Sequence, residues 1–155
     1  MRAFLGALLT VTIFAACGGD SFEPAAGFGA ATIEVADSQR TVELKVEVAS
    51  EPESRIQGLM FRQELPDGEG MLFIYPAVTG GGHWMKDTYL PLDVAYANGF
   101  GEIFNVLQGR PLDTTVLSAG APFLYVLEVP AGWFEEHGFG PGSRLVLPDN
   151  LPVAR

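Results

Sequence analysis

Val42-Glu43-Leu44-Lys45-Val46-Glu47-Val48 alternates apolar and charged side chains without a break. Successive side chains of a β-strand point to opposite faces, so this alternation predicts a strand whose four valine and leucine residues share one buried face. No other stretch of the chain carries so clear a secondary-structure signal. It indicates a domain built on β-sheet.

Further apolar segments follow this strand, and each is bounded by Gly, Pro, Asp or Asn. Short apolar runs between such residues are typical of strands joined by turns. The segments lie at residues 71–75, 83–86, 92–97, 102–107, 115–117, 123–129 and 144–147.

Two short helices are predicted between the strands. Ser50-Glu51-Pro52-Glu53 places a capping hydroxyl three residues before a glutamate, so we expect a helix from this point to about residue 59. Its apolar side would contain Ile56, Leu59 and Met60. A second helix is expected over residues 131–137, with Gly138 as its C-terminal stop. Many short strands and two short helices favour a mainly β fold, a single compact β-sandwich or barrel-like domain.

The first sixteen residues are typical of a bacterial export signal. Arg2 is followed by an uncharged, strongly apolar run to Ala16, which is shorter than the roughly 20 apolar residues that a membrane-spanning helix needs. The segment Phe14-Ala15-Ala16-Cys17 resembles the lipobox of bacterial lipoproteins. The resemblance implies that residues 1–16 are removed and that Cys17 carries the lipid. The alternative is an ordinary secretory signal followed by a chance cysteine.

Residues 17–31 are rich in Gly, Ala, Pro and Ser and contain few large apolar side chains. Such a stretch buries too little apolar surface to order itself, which predicts a flexible tether between the lipid and a domain at residues 32–155. These 124 residues suffice for one hydrophobic core. We therefore expect an exported domain, anchored by its lipid to the cell membrane or the outer membrane and lying outside the cytoplasm.

Charge and cysteine content narrow the possible functions. Removal of residues 1–16 would leave 8 basic against 19 acidic residues, because Arg2 is the only charged residue in that segment. So acidic a chain argues against nucleic acid as a partner. With Cys17 as the only cysteine, an internal disulfide is excluded and stability must come from burial in the core.

Four ordered motifs carry a resemblance to a known family. They are GLMFR at 58–62, GMLF at 70–73, WMKDTYLPLD at 84–93 and YVLEVPAG at 125–132. Together they resemble the domain of unknown function 192 (DUF192) family over about residues 42–147. The resemblance implies a compact all-β domain that is often exported and has no settled activity. It also implies that His83, Asp87 and Val116 depart from the usual aromatic, Asn and Tyr, so His83 is not a residue that the whole family uses for catalysis.

The candidate ligand site follows from charged residues in and near these motifs. On an extended strand Asp93 would lie on the same face as Ala95 and Ala97, which predicts open space above the sheet there. Lys86, Asp87 and Asp93 could converge on that space across the bend at Pro91, with further charges arriving from other motifs. The candidate ligand-binding residues are Arg62, Lys86, Asp87, Asp93 and Glu128. Ion pairs at the sheet edge, without a ligand, are the structural alternative.

These residues favour a non-catalytic module that binds a small polar ligand or an envelope partner. One alternative is a hydrolase that uses a carboxylate pair from Asp87, Asp93 and Glu128, which would require two of these groups to face one cleft. Another is a purely structural envelope lipoprotein. The Met and His side chains match no closed set of metal ligands, and no cofactor motif is found, so neither a metal nor a cofactor is expected.

Overall fold

The computed structural model describes residues 22–155, so the predicted leader and Cys17 lie outside the described residues. Within this range the chain forms nine strands and two short helices. In chain order they are β1 (Gly29–Ala36), β2 (Thr41–Ala49), α1 (Pro52–Gln57), β3 (Glu69–Thr79), β4 (Gly82–His83), β5 (Leu92–Ala97), β6 (Ile103–Gly109), β7 (Leu117–Ser118), β8 (Phe123–Pro130), α2 (Trp133–His137) and β9 (Arg144–Val146). Neither helix is long and apolar enough to cross a membrane.

Seven of the strands form one curled sheet, in the order β6-β5-β8-β3-β2-β1-β9. β2 and β3 pair in parallel across the connection that contains α1, and the other neighbours in the sheet are antiparallel. The curl closes the sheet into a half-barrel. The predicted mainly β domain with two short helices is confirmed, in its barrel-like form.

Both faces of the sheet are buried, and each carries its own hydrophobic core. We call one the α2 face, because Leu72, Ala95 and Leu127 pack there in one cluster with Trp133 and Phe134 of α2. The opposite side is the α1 face, where Leu59, directly after α1, packs with a second cluster. The strand residues of that cluster include Met71, Phe73, Val94, Tyr96 and Val126.

The alternation predicted for β5 is observed, but the open space predicted beside its alanines is absent. Leu92, Val94 and Tyr96 belong to the cluster of the α1 face, whereas Ala95 and Ala97 belong to that of the α2 face. All six residues of β5 are buried. The alanines leave room for the aromatic side chains of α2 rather than for a ligand, because small residues let a helix approach a sheet closely.

α1 is shorter than predicted and differs in its capping. It spans Pro52–Gln57, and the residue before it is Glu51 rather than Ser50. The hydroxyl of Ser54, in the first turn, accepts a hydrogen bond at 3.1 Å from the backbone N–H of Glu51, the residue that precedes the helix. Ile56 was expected on the apolar side but is 72% exposed. The side of α1 that carries Ile56 thus faces away from the sheet, whereas Leu59 after the helix is buried.

The ordered domain begins before residue 32. β1 starts at Gly29 and pairs along its whole length with β2, so it includes the last three residues of the predicted tether. Phe28 is 9% exposed in the core, and Ala25 N donates a hydrogen bond to Glu47 Oε1 at 2.8 Å. The composition of this segment is poor in apolar residues, but the unpaired edge of β2 supplies the hydrogen bonds that order it.

β4 and β7 form a separate two-stranded sheet beside the α1 face. Of the strand predicted at residues 83–86 only His83 pairs in this way, because the chain turns at Asp87, whose φ is 53°. Gly82 allows the pairing, since a Cβ at this position would collide with the backbone of Leu117. The small sheet brings His83 over the α1 face.

A prediction concerns the role of Asp93 in holding α2 to the sheet. The N-cap residue of α2 is Gly132, which has no side chain to accept hydrogen bonds from the first turn. Asp93 Oδ2 instead accepts them from Gly132 N at 3.0 Å and Phe134 N at 3.2 Å. We expect Asp93→Ala to lower the free energy of unfolding by about 1–3 kcal/mol, and Asp93→Asn to lower it less, in urea denaturation.

The control for this prediction is Asp87→Asn. The side chain of Asp87 is 42% exposed, and asparagine tolerates the positive φ of this position as aspartate does. It should change the free energy of unfolding by no more than about 0.5 kcal/mol. An effect of Asp93→Ala no larger than that of Asp87→Asn would contradict the capping role of Asp93.

Candidate functional site

A buried His83–Glu128 pair forms the centre of the candidate site. His83 Nδ1 lies 2.8 Å from Glu128 Oε1, and the two side chains are only 11% and 6% exposed. Glu128 is directed to the α1 face, because β8 pairs it with Met71 on one side and Val94 on the other. A carboxylate between two apolar neighbours on the same face of the sheet needs a hydrogen-bond donor, and the imidazole on β4 supplies one.

Tyr75 extends this pair into a chain of three side chains. Its hydroxyl lies 3.0 Å from His83 Nε2. In the neutral imidazole, Nδ1–H donates to Glu128 and Nε2 accepts from the Tyr75 hydroxyl, so carboxylate, imidazole and phenol are joined in series. Phe73 supports the ring of His83 edge-on, with ring centroids 4.6 Å apart. The arrangement can hold or pass a proton between Tyr75 and His83.

Tyr96 fixes the position of β4 against the large sheet. Its hydroxyl accepts a hydrogen bond from His83 N at 2.8 Å and donates one to Leu117 O at 2.6 Å. One side chain of β5 therefore holds both strands of the small sheet. Because His83 lies on that sheet, Tyr96 also sets the place of its imidazole.

Burial changes the acidity of both tyrosines. Removal from water raises the pKa of Tyr96 to about 12, against the smaller opposing effect of the His83 N–H bond. The pKa of Tyr75 is raised for the same reason, although the positive charge of Arg55 partly offsets the effect. Both hydroxyls therefore keep their protons at neutral pH and can donate hydrogen bonds.

A cavity of about 310 Å³ opens beside the His83–Glu128 pair. Its floor is formed by buried side chains of the α1 face, including Phe73 and Glu128. Its rim is formed by exposed groups of α1 and of the segment after β4. These rim residues are Ile56, Trp84 and Lys86. The cavity has the size of a site for a small molecule, with apolar walls and a few convergent polar groups.

Only two of the five candidate residues line this cavity, Lys86 and Glu128. Asp87 lies at the surface beside Lys86, with Nζ and Oδ2 3.8 Å apart. Arg62 lines a different cleft, where it forms an ion pair with Glu47. Asp93 caps α2 on the opposite face. The structure thus brings together a different set of side chains from the one that sequence reasoning assembled.

The carboxylates of Asp93 and Glu128 do not face a common cleft. β5 and β8 pair Val94 with Glu128 and Asp93 with Val129, so the two acids project from opposite faces of the sheet. Asp93 and Glu128 therefore cannot form the carboxylate pair that the hydrolase hypothesis requires. In the described part of the chain, moreover, no three His, Cys, Asp or Glu side chains cluster in a way that could hold a metal ion.

Sequence reasoning missed Tyr75 and placed His83 outside the site. One signal was available: β8 reads Leu127-Glu128-Val129 inside an apolar strand that is buried on both faces. A carboxylate there requires a partner. The identity of that partner could not be derived, because His83 lies 45 residues earlier in the chain and reaches Glu128 only through the pairing of β4 with β7.

A prediction follows from the acidity of Tyr96. With an ordinary pKa of 10.0 in the unfolded chain and about 12 in the folded one, the folded state keeps the phenol proton longer. The contribution to stability is complete below pH 10 and is lost as the pH rises toward 12, because the unfolded state ionises first. Tyr96→Phe should flatten the fall of the unfolding free energy over this range.

Denaturation at several alkaline pH values and the absorbance of tyrosinate measure the effect. At pH 7 the same variant should cost about 1–3 kcal/mol, since His83 N–H and Leu117 C=O lose their partner. Tyr89→Phe is the control, because this ring is 44% exposed. Two results together would contradict the prediction. The buried tyrosines would ionise near pH 10, and Tyr96→Phe would leave the dependence of the unfolding free energy on pH as it is in the wild type.

The comparisons with known proteins agree with this fold. The sequence model of the DUF192 family, described as uncharacterized ACR, matches residues 32–147. A crystal structure of a candidate transcription regulator from Sinorhizobium meliloti 1021 is similar at 34% identity and a TM-score of 0.74, covering 76% of this chain and 93% of that one.

A protein of unknown function from Novosphingobium aromaticivorans DSM 12444 is similar at 29% identity and a TM-score of 0.73, over 82% of this chain and 91% of the other. Among curated proteins none matches. The family match covers most of the chain and includes every strand from β2 to β9. The chain therefore belongs to the DUF192 family, as its four sequence motifs predicted.

Proposed function

We propose that this domain binds a small polar ligand, without catalysis, in the cavity beside His83 and Glu128. The observation that carries the proposal is a buried, hydrogen-bonded His83–Glu128 pair that lines an open cavity of about 310 Å³. Buried polar groups without a structural task mark binding sites more often than charged residues at the surface do. The exposed Trp84 and Ile56 at the rim supply apolar contact for the rest of the ligand.

Regulation of transcription is a function that the similarity to the Sinorhizobium meliloti protein suggests, but the charge of this chain argues against it. The chain carries 9 basic and 19 acidic residues, a net charge of −10. DNA binding needs several Lys or Arg side chains on one surface to replace the counterions of the phosphates. Arg55 and Arg62 instead bind backbone carbonyls and Glu47.

We further propose that the domain is held at a membrane by a lipid on Cys17. The support is the sequence alone, namely the apolar leader of residues 1–16 that ends at the only cysteine of the chain. Several acyl chains suffice for stable attachment, since each buried methylene contributes about 0.8 kcal/mol. A binding domain tethered outside the cytoplasm would sample small molecules of the envelope.

The binding function is tested by a double variant that replaces the polar pair with apolar groups. His83→Phe with Glu128→Leu removes the carboxylate together with the imidazole that donates to it, and only the Tyr75 hydroxyl loses a side-chain partner, so the free energy of unfolding should fall by no more than about 1–3 kcal/mol. In thermal-shift screening against sugars, nucleotides, amino acids and amines, wild-type protein should gain stability from at least one class of compound. The double variant should lose that response.

Two results would overturn this proposal. One is a stabilising ligand whose effect survives in the double variant, which would place the site elsewhere. The other is no response of the wild-type protein to any class, which would favour a purely structural domain. Arg62→Lys, which lies in the other cleft, is the matched control and should bind as the wild type does.

The lipid anchor is tested by intact-mass spectrometry of the protein extracted from membranes. We expect loss of residues 1–16 and addition of a diacylglyceryl group to Cys17, and Cys17→Ser should lose both changes. An unmodified Cys17, or an intact leader on protein recovered from the cytosol, would refute the proposal.

A further inference from the structure

Glu128 keeps one carboxylate oxygen without a hydrogen-bond partner. Oε1 accepts from His83 Nδ1 at 2.8 Å, whereas Oε2 has no hydrogen bond to any of residues 22–155. The side chain is only 6% exposed and lines the cavity. An ionised carboxylate offers about four acceptor positions. Among the described residues Trp133 Nε1 is the only fully buried polar side-chain atom without a partner, so Glu128 Oε2 is not sealed in the core but is open to the cavity. The free oxygen is therefore suited to a donor that enters the cavity.

The two cationic side chains that line the cavity do not supply this donor. Arg55 directs its guanidinium to the carbonyl oxygens of Ser50, Ile74 and Arg155. Lys86 extends its ammonium at the rim, 3.8 Å from Asp87 Oδ2 and 5.8 Å from the ring centroid of Trp84. The negative charge at the floor of the cavity is thus left for a ligand to balance.

The overall charge of the protein also favours a positive ligand. The net charge of −10 gives a field that concentrates cations around the protein and repels anions. The aromatic rings of the wall add apolar contact rather than charge recognition, because Arg55 already lies over the Tyr75 ring at 5.3 Å and Lys86 over the Trp84 ring at 5.8 Å. An anionic ligand would have to approach Glu128 against the general field and the charge of the carboxylate itself.

Taken with the proposed binding function, on which this step rests, the geometry points to a small organic cation as the ligand. Its ammonium or guanidinium group would donate to Glu128 Oε2, while a short apolar body would lie against Trp84 and Ile56 at the rim. His83 is the positioning residue in this arrangement, since its Nδ1–H holds the carboxylate with Oε2 directed into the cavity.

Three probes of similar size and different charge test this assignment. They are 2-phenylethylamine, 2-phenylethanol and 3-phenylpropanoate, each titrated into the full chain by calorimetry at neutral pH. We expect the amine to bind about tenfold or more tightly than the alcohol, and the propanoate to bind most weakly, since a charge-assisted hydrogen bond is gained with the amine alone.

Glu128→Gln keeps the shape of the side chain and removes its charge. It should weaken the amine about tenfold or more and leave the alcohol within about twofold, because only the cation uses the charge. Asp87→Asn removes an acid of the same charge at the surface and should leave all three affinities unchanged. This control separates the action of Glu128 from the general field of the protein.

The possible failures are distinguishable. Equal affinities for the three probes, or tightest binding of the propanoate, would refute the cationic ligand and leave the binding function standing. An amine preference that persists in Glu128→Gln would also refute it, because another group would then carry the selectivity. If none of the probes binds, the inference fails, and the screen of compound classes decides separately whether the cavity binds any ligand.

Discussion

The alternation of side chains along the central strands is the constraint on which the rest of this structure depends. The sheet is covered on both faces, so neighbouring residues of β3, β5 and β8 enter two different cores. Asp93 and Glu128 lie close together in the sheet, one register step apart. The alternation nevertheless sends one to α2 and the other to the cavity, and this separation decides their roles.

Three carboxylates of the described sheet are buried, and their hydrogen bonds distinguish structure from site. Glu47 is satisfied by Arg62 and by Ala25 N, which fixes the loop after α1 and the segment before β1 to the sheet. Asp93 is satisfied by the first turn of α2. Glu128 alone of the three has an oxygen without a hydrogen bond to the described residues, and it lines the cavity of about 310 Å³. Burial of the side chain by itself does not mark a functional acid, whereas a buried side chain with an acceptor oxygen open to a cavity is a candidate for one.

The site is assembled from strands that are far apart in the chain. Tyr75 comes from β3, His83 from β4 and Glu128 from β8, and Tyr96 of β5 holds β4 in place. The stability of the small sheet and the geometry of the site therefore depend on the same hydroxyl group.

From its sequence alone this protein could be assigned a mainly β domain, most of its strands, its family and the end of α2 at Gly138. These features depend on local patterns, namely the two-residue alternation of β2, the turn residues between strands and short motifs. The candidate site was only partly predictable, because Lys86 and Glu128 line the cavity while Arg62, Asp87 and Asp93 do not. Sequence distance carries no information on which face of a sheet a distant strand will cover.

The tertiary structure decided what each buried charge contacts. The edge of β2 ordered the Gly- and Ala-rich segment that became β1, and the pairing of β4 with β7 set His83 on Glu128. Such contacts join residues that are far apart in the chain, 45 residues in the case of His83 and Glu128, and the free energy of burying a carboxylate depends on the partner that the fold provides. The residue pattern determined that Glu128 needs a partner, and only the folded sheet determined that the partner is His83.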